Sequence, residues 1–354
     1  MANSFLTCWF FFFFMITVLA AQTVSSPIFF PSSAAIHQTL TQSKSPKSKT
    51  PYKAFFFPQQ LDHFTFLPQS SHIFYQKYLL NSDHWLNETH QKGPIFVYAG
   101  NEGNIEWFAD NTGFMFDIAP KFKALLLFIE HRFYGESKPF GKDSYKSAET
   151  LGYLNSQQAL ADYAVLIRSL KKSLSAEASP VVVFGGSYGG TIGALASSAP
   201  ILHFDDITPW TSFYDAVSKD YKDASNNCFE VIKGSWDELM AFSAQKEGLQ
   251  ELSKTFRTCK DLHSVYSARD WLWSAFVYTA MVDYPMEANF MAPLPAYPVQ
   301  EMCRIIDGFP SHGSKLTKAF SAASLYYNYS RTEKCFNVEN SGDAHGLGGW
   351  DWQV

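Results

Sequence analysis

The sequence predicts an α/β fold: a mostly parallel sheet flanked by helices, followed by a mainly helical second half. Three observations predict it. Apolar runs at Pro94–Ala99, Ala124–Ile129 and Val181–Phe184 are short and uninterrupted, as strands buried on both faces are. Segments with helical spacing separate them, the grammar of parallel strands joined by crossovers. After Pro200 that alternation stops, helical spacing takes over, and Cys228, Cys259, Cys303 and Cys335 all fall there.

Taken in order, Phe5 to Ala21 is almost wholly apolar and ends in Val18-Leu-Ala-Ala21 ahead of Gln22. Residues 1–21 therefore read as a signal peptide, and no stable membrane anchor is expected because the run is barely long enough to span a bilayer. Residues 22–52 are rich in Ser, Thr, Lys, Gln and Pro without apolar periodicity, as a disordered stretch or pro-segment would be. Aromatic and apolar residues then dominate, and residues 53–200 form the first part of the sheet domain. The strand at Pro94–Ala99 is closed by Gly100-Asn-Glu-Gly103, and the strand at Ala124–Ile129 runs into Glu130-His-Arg-Phe-Tyr-Gly-Glu-Ser137. Between them Phe114–Phe122 has helical spacing. Asn155–Lys172 is the clearest helix, with Asn155 placed to cap it and Gln158 three positions on. Its apolar face is expected at Leu160, Tyr163, Ala164, Ile167 and Leu170.

Residues 201–340 read as a helical region with helices at Ser235–Ala244, Ala268–Asp283, Val299–Ile306 and Lys315–Tyr327. A loop with Pro285, Pro293, Pro295 and Pro298 separates the second from the third. Cys8 would leave with the signal, and four cysteines in an oxidising route imply disulfides in one of three connectivities. The sequons at Asn87 and Asn328 fit the same route. Net charge is −5 with a sequence pI near 6.1, and no long Lys/Arg run is present. A nucleic-acid partner is thus not expected, nor is a metal or a cofactor.

The chemistry points to Gly185-Gly-Ser-Tyr-Gly189, a G-x-S-x-G pattern on the end of an apolar strand. A strand stopping at so tight a turn holds the Ser187 hydroxyl clear of the sheet, while glycines on either side remove Cβ atoms that would collide. Ser187 is the candidate nucleophile. The oxyanion donors of such a site are the backbone N–H of the next residue, Tyr188, and one from a loop after an earlier strand. Gly100 and Asn101 begin a loop that is either that donor or a plain turn. A base is harder to find. After Ser187 come only His203, His263, His312 and His345. Asp343 and His345 stand too close in sequence for the acid to sit behind a ring that reaches Ser187. His131 reads as a hydrogen-bonded structural histidine.

Together Gly185-Gly-Ser-Tyr-Gly-Gly190, Gly100-Asn-Glu-Gly103, Glu130–Ser137 and Gln158-Ala-Leu-Ala-Asp162 resemble the Pro-X carboxypeptidase and dipeptidyl peptidase II family of serine peptidases. Leu61-Asp-His-Phe64, Asn111-Thr-Gly-Phe-Met115, Met281-Val-Asp-Tyr-Pro285 and Pro293-Leu-Pro-Ala296 fit the same pattern. The resemblance implies an α/β-hydrolase core with a mainly helical cap, and an exopeptidase cleaving proline-containing peptides through an acyl-enzyme on Ser187. It implies Cys228 paired with Cys303 and Cys259 with Cys335, and a secreted or lysosome- or vacuole-type compartment; a homodimer is compatible with it. It also implies a longer chain: the family's catalytic Asp and His lie beyond the position matching Val354, with residues 341–354 starting an incomplete return to the sheet. The chain therefore reads as a shortened form, inactive alone. The family places a helix and then a strand after the elbow. Here nine residues separate Gly190 from Pro200, too few for a full helix and a strand, so one short helix at the strand's expense is the alternative. A dipeptidyl peptidase releasing Xaa-Pro, an esterase using the same elbow, and a non-catalytic peptide-binding glycoprotein remain the rival readings.

Overall fold

The structure, a computed structural model, describes residues 52–65, 71–89, 91–192, 196–198, 209, 211–339 and 348–353. The expected signal peptide, residues 22–51, His203, Asp343 and His345 lie outside the described residues. Six strands form one sheet in the order β1-β2-β4-β3-β5-β6. They are β1 (Lys53–Gln60), β2 (Ile73–Asn81), β3 (Ile95–Ala99), β4 (Leu125–Ile129), β5 (Val181–Gly186) and β6 (Ala196–Ser198). The first two pair antiparallel from Lys53↔Leu80 to Gln60↔Ile73, and β2 is antiparallel to β4. From β4 onward every neighbour is parallel. This is an α/β-hydrolase core, with an antiparallel pair at one edge and the nucleophile turn after β5.

Every residue of β3 and β4 is buried, because helices cover both faces of these central strands. Period-2 alternation divides their side chains. Phe96, Tyr98, Leu126 and Phe128 meet Ile105, Phe108, Met115 and Ala119 of helices α1 (Ile105–Asn111) and α2 (Gly113–Phe122). Ile95, Val97, Leu125 and Leu127 meet Tyr163, Leu166 and Leu170 of the opposite layer. Each buried Val, Leu, Ile, Phe or Met among them contributes about 1.5–3 kcal/mol by leaving water. After the short helix α3 (Ala148–Leu151), that opposite layer is α4 (Ser156–Ser173).

The buried face of α4 differs from the expected one. Asn155 caps the helix through the Gln158 N–H, but Leu160 is 43% exposed while Ala159, Asp162, Tyr163, Leu166 and Leu170 are buried. The cause is polar. Arg132, itself fully buried, forms a two-pronged ion pair with Asp162 at 2.6 and 2.7 Å. That pair turns Asp162 inward and sets the rotation of the helix. The Gln158 side chain does not close a capping box; it bonds Asp62 and the His63 N–H, tying the Leu61–Phe64 segment to the helix.

Beyond β5 comes a single helical turn, α5 (Ser187–Thr191), and then β6, paired Phe184↔Ala196 to Gly186↔Ser198. As expected, the connection holds no full helix: the turn belongs to the elbow, only Thr191 of it falls after Gly190, and the strand is kept. The helix is 5 residues long and the strand 3, so the alternative of a short helix replacing the strand is not what forms.

The second half is helical: α6 (Ser212–Ala224), α7 (Asn226–Ser243), α8 (Gly248–Thr255), α9 (Val265–Met281), α10 (Pro298–Asp307) and α11 (Lys315–Asn328). A two-stranded ribbon, β7 (Ala288–Asn289) and β8 (Pro293–Leu294), occupies the proline-rich loop. α9 is buried nearly all round, with Trp271 stacked on Tyr327 at 4.2 Å between ring centres. Disulfides join Cys228 to Cys303 and Cys259 to Cys335. A last short helix, α12 (Trp350–Gln353), returns to the sheet domain.

Candidate active site

The turn from β5 into α5 is strained. Ser187 has φ +52°, a left-handed conformation costing a non-glycine residue about 1–2 kcal/mol. Its neighbours are glycines for a steric reason. A Cβ on Gly185 would lie 2.5 Å from the Gly189 carbonyl oxygen, and one on Gly189 would lie 2.4 Å from the Ala99 oxygen. The elbow closes only because two backbone segments touch where side chains would stand.

The loop after β3 is built into this elbow. Asn101 donates from Nδ2 to the Gly186 carbonyl at 2.5 Å and accepts from the Tyr98 hydroxyl at 2.9 Å. Gly100 presses against β4, where a Cβ would meet the Ile129 oxygen at 2.2 Å, and its own carbonyl accepts from Tyr163 at 2.9 Å. Asn101 is thus bonded to the residue before Ser187, and Gly100 is held behind it against β4 and Tyr163.

Tyr188 is held by a chain of hydrogen bonds that fixes one histidine tautomer. His131 Nδ1 donates to the Arg132 carbonyl at 2.6 Å, which leaves Nε2 to accept from the Tyr188 hydroxyl at 3.1 Å. The Tyr188 oxygen accepts in turn from Gln353 Nε2 at 2.8 Å, and Gln353 Oε1 accepts from the Tyr134 hydroxyl. Burial drives the His131 ring down to about 4, so it stays neutral across the physiological range. His131 orients Tyr188; among the described residues it has no bond to Ser187. Trp350 packs edge-on against Tyr188 at 5.7 Å. Nothing in the local sequence around Trp350 or Gln353 signals this role, because the contact spans 165 positions.

Ser187 Oγ is buried and has no hydrogen-bond partner among the described residues. Glu102 Oε2, in the neighbouring loop, is likewise buried without a partner. Burial lifts the Glu102 carboxyl to about 7, against a weaker pull from the Asn101 side chain. His263 bonds Glu339 at 2.7 Å in the helical half, as an exposed pair. Asn87 lies in a bridge with Lys92, and Asn328 ends α11 with its side chain bonded to Glu333.

A cleft of about 820 Å³ runs up to the elbow backbone at Gly185 and Gly186. Its walls bring Asn111–Met115 of the sheet domain together with Tyr284 and Ala288–Phe290 of the helical half. Asp110 and Glu287 line it as well. Ser187 does not line it.

The serine carboxypeptidase S28 model matches residues 59–347. The chain belongs to the S28 family of serine carboxypeptidases. Human lysosomal Pro-X carboxypeptidase is 39% identical over 338 residues, covering 90% of this chain and 67% of that one. Prolyl carboxy peptidase like protein 5 of Caenorhabditis elegans is 36% identical over 342 residues, covering 88% and 66%. The chain thus spans about two thirds of the length of these S28 relatives. The acylaminoacyl peptidase of Pyrococcus horikoshii overlaps 40% of this chain and 20% of its own, with a TM-score of 0.24 at 12% identity, too slight a likeness to carry any reading. S28 membership makes the protein a serine-type hydrolase by family and implies a peptide substrate. Its two disulfides fit the secretory route, and no described helix is long and apolar enough to cross a membrane.

Proposed function

We propose that the chain is the nucleophile-bearing body of a Pro-X carboxypeptidase-type exopeptidase, with Ser187 as the group that would be acylated. The left-handed conformation of Ser187, held between two glycines that admit no side chain, carries this reading. In the reaction so proposed, Ser187 Oγ attacks the carbonyl carbon of the scissile bond while a base removes its proton. The resulting oxyanion takes hydrogen bonds from the Tyr188 N–H and a backbone N–H of the Gly100–Asn101 loop. Collapse of that intermediate expels the peptide amine, protonated by the same base, and leaves an ester on Ser187. Substrate peptides carrying proline beside the scissile bond follow from the relatives' names and the shared motifs. The compartment so proposed is lysosomal, vacuolar or extracellular.

Alone, this chain binds such peptides without turning them over. Among the described residues Ser187 Oγ has no hydrogen-bond partner, and a serine without a bonded base loses most of its rate. The test uses Xaa-Pro-Phe peptides blocked at the amino or the carboxyl end, together with fluorophosphonate labelling. Binding of the amino-blocked peptide with no turnover is the expected result. Turnover at an enzyme's rate would instead show that a base reaches Ser187 from outside the described residues. Preference for the carboxyl-blocked peptide would favour a dipeptidyl peptidase.

A further inference from the structure

The helical half holds a cavity of its own. It occupies about 340 Å³ between α6, α7 and α9, none of which contributes to the elbow, and lies within the range of small-molecule sites, about 300–1,000 Å³. Tyr214, Phe229, Trp236, Trp273 and Phe276 give it an aromatic wall. Its rings meet at steep angles, 58° for Tyr214 with Trp273 and 85° for Trp236 with Phe276, leaving a slot between them.

The polar groups of this wall share one property. Lys233, Ser218, Tyr214 and the two indoles can all donate, and no carboxylate or carboxamide side chain lines the cavity. The Tyr221 hydroxyl is already spent on the Phe276 carbonyl at 2.9 Å. Lys233 is the cation of the wall, and a second lysine, Lys222, lies near Phe229 without lining the cavity. Lys222 and Lys233 each place Nζ 5.8 Å from the centre of the Phe229 ring, and neither forms an ion pair among the described residues. None of the acids of α6 (Asp215, Asp220 and Asp223) lines the cavity, and Asp223 is paired with Lys219. An apolar slot bordered by donors and positive charge, without a competing carboxylate on its wall, is complementary to an apolar anion.

We propose that this cavity binds an apolar monocarboxylate, its hydrocarbon body between Trp236, Trp273 and Phe276 and its carboxylate at Lys233. The site is independent of hydrolysis at Ser187, so it stands or falls separately from the peptidase reading.

Calorimetric titration of the whole chain with decanoate, and with decanol as the uncharged counterpart, tests it. Decanoate should bind saturably at one site, and decanol at least tenfold more weakly. Lys233→Glu should weaken decanoate at least tenfold. Ser218→Trp, a change at an exposed helix position, should block the slot, with the thermal midpoint of both variants unchanged. Equal binding of decanol, indifference to Lys233→Glu, or no saturable binding overturns the proposal. So does light scattering that finds a dimer dissociated by Ser218→Trp, because a second copy would then be the occupant.

Discussion

The side-chain amide of Asn101 donates to the carbonyl of Gly186, the residue that delivers the chain to Ser187. One end of the amide thereby holds the elbow while the other receives the Tyr98 hydroxyl. Asn101→Ala removes both bonds and should cost about 1–3 kcal/mol, the range for groups left without partners in a buried setting. Asn101→Asp should lose at least as much, since a carboxylate would then face a carbonyl. Guanidinium unfolding of the two variants measures this, and a loss below about 0.5 kcal/mol would show that the loop is held by packing alone.

Ser187 stores strain. It keeps a left-handed backbone and a buried hydroxyl without a partner, and both weigh against folding. Ser187→Gly relieves both and should stabilise the protein by about 1–2 kcal/mol. Ser187→Ala relieves only the hydroxyl and should gain less. Midpoints ordered Gly above Ala above Ser are the expected outcome. A serine more stable than both variants would mean that the hydroxyl has a partner in solution.

Glu102 predicts the direction of pH dependence. Its folded carboxyl titrates near 7 against an ordinary value of 4.5. Between those values the unfolded chain is ionised while the folded one keeps its proton, so stability is full below about 4.5 and falls as pH rises through 7. The window corresponds to about 3 kcal/mol. Glu102→Gln should flatten this part of the stability profile. Unfolding followed from pH 4.5 to 8 checks it, and a profile unaltered by the substitution would place the proton elsewhere. Glu130, also lifted to about 7 by burial, accepts from Ile105, Glu136 and Ser137 and adds a contribution that Glu102→Gln leaves in place.

Arg132 and Asp162 have no contact with solvent. The remaining guanidinium donors reach the carbonyls of Leu61, Gln60 and Tyr153, and His63 Nε2 reaches Asp162 at 2.7 Å. Arg132→Met leaves a buried carboxylate facing only that imidazole and should cost about 3–5 kcal/mol. The double variant Arg132→Met with Asp162→Leu should recover part of the loss. Additive losses would show that the two residues act separately.

The parts of the fold legible in the sequence are those whose signal is local. The strands Ile95–Ala99 and Leu125–Ile129 announce themselves as apolar runs because both of their faces are covered. The elbow is written in five consecutive residues. Lys53–Gln60 is less visible: it is an edge strand carrying Pro58, largely exposed, and its pairing with Ile73–Asn81 follows no strict alternation. Ser212–Ala224 and Gly248–Thr255 are rich in polar residues and bury few apolar side chains, Phe213 and Tyr221 in the first and Leu252 in the second. Apolar periodicity misplaces the buried face of Ser156–Ser173 because it is blind to an ion pair that buries Asp162. The Tyr134–Gln353–Tyr188–His131 chain was not legible at all, since it joins distant segments through single side chains.

The two disulfides, Cys228–Cys303 and Cys259–Cys335, overlap instead of standing side by side. Every peptide bond from residue 228 to 335 therefore lies inside at least one covalent ring. A protease that clips this region once, at any loop, releases nothing: the halves stay tethered and separate on a gel only after reduction. The helical half can be nicked there and still remain one molecule.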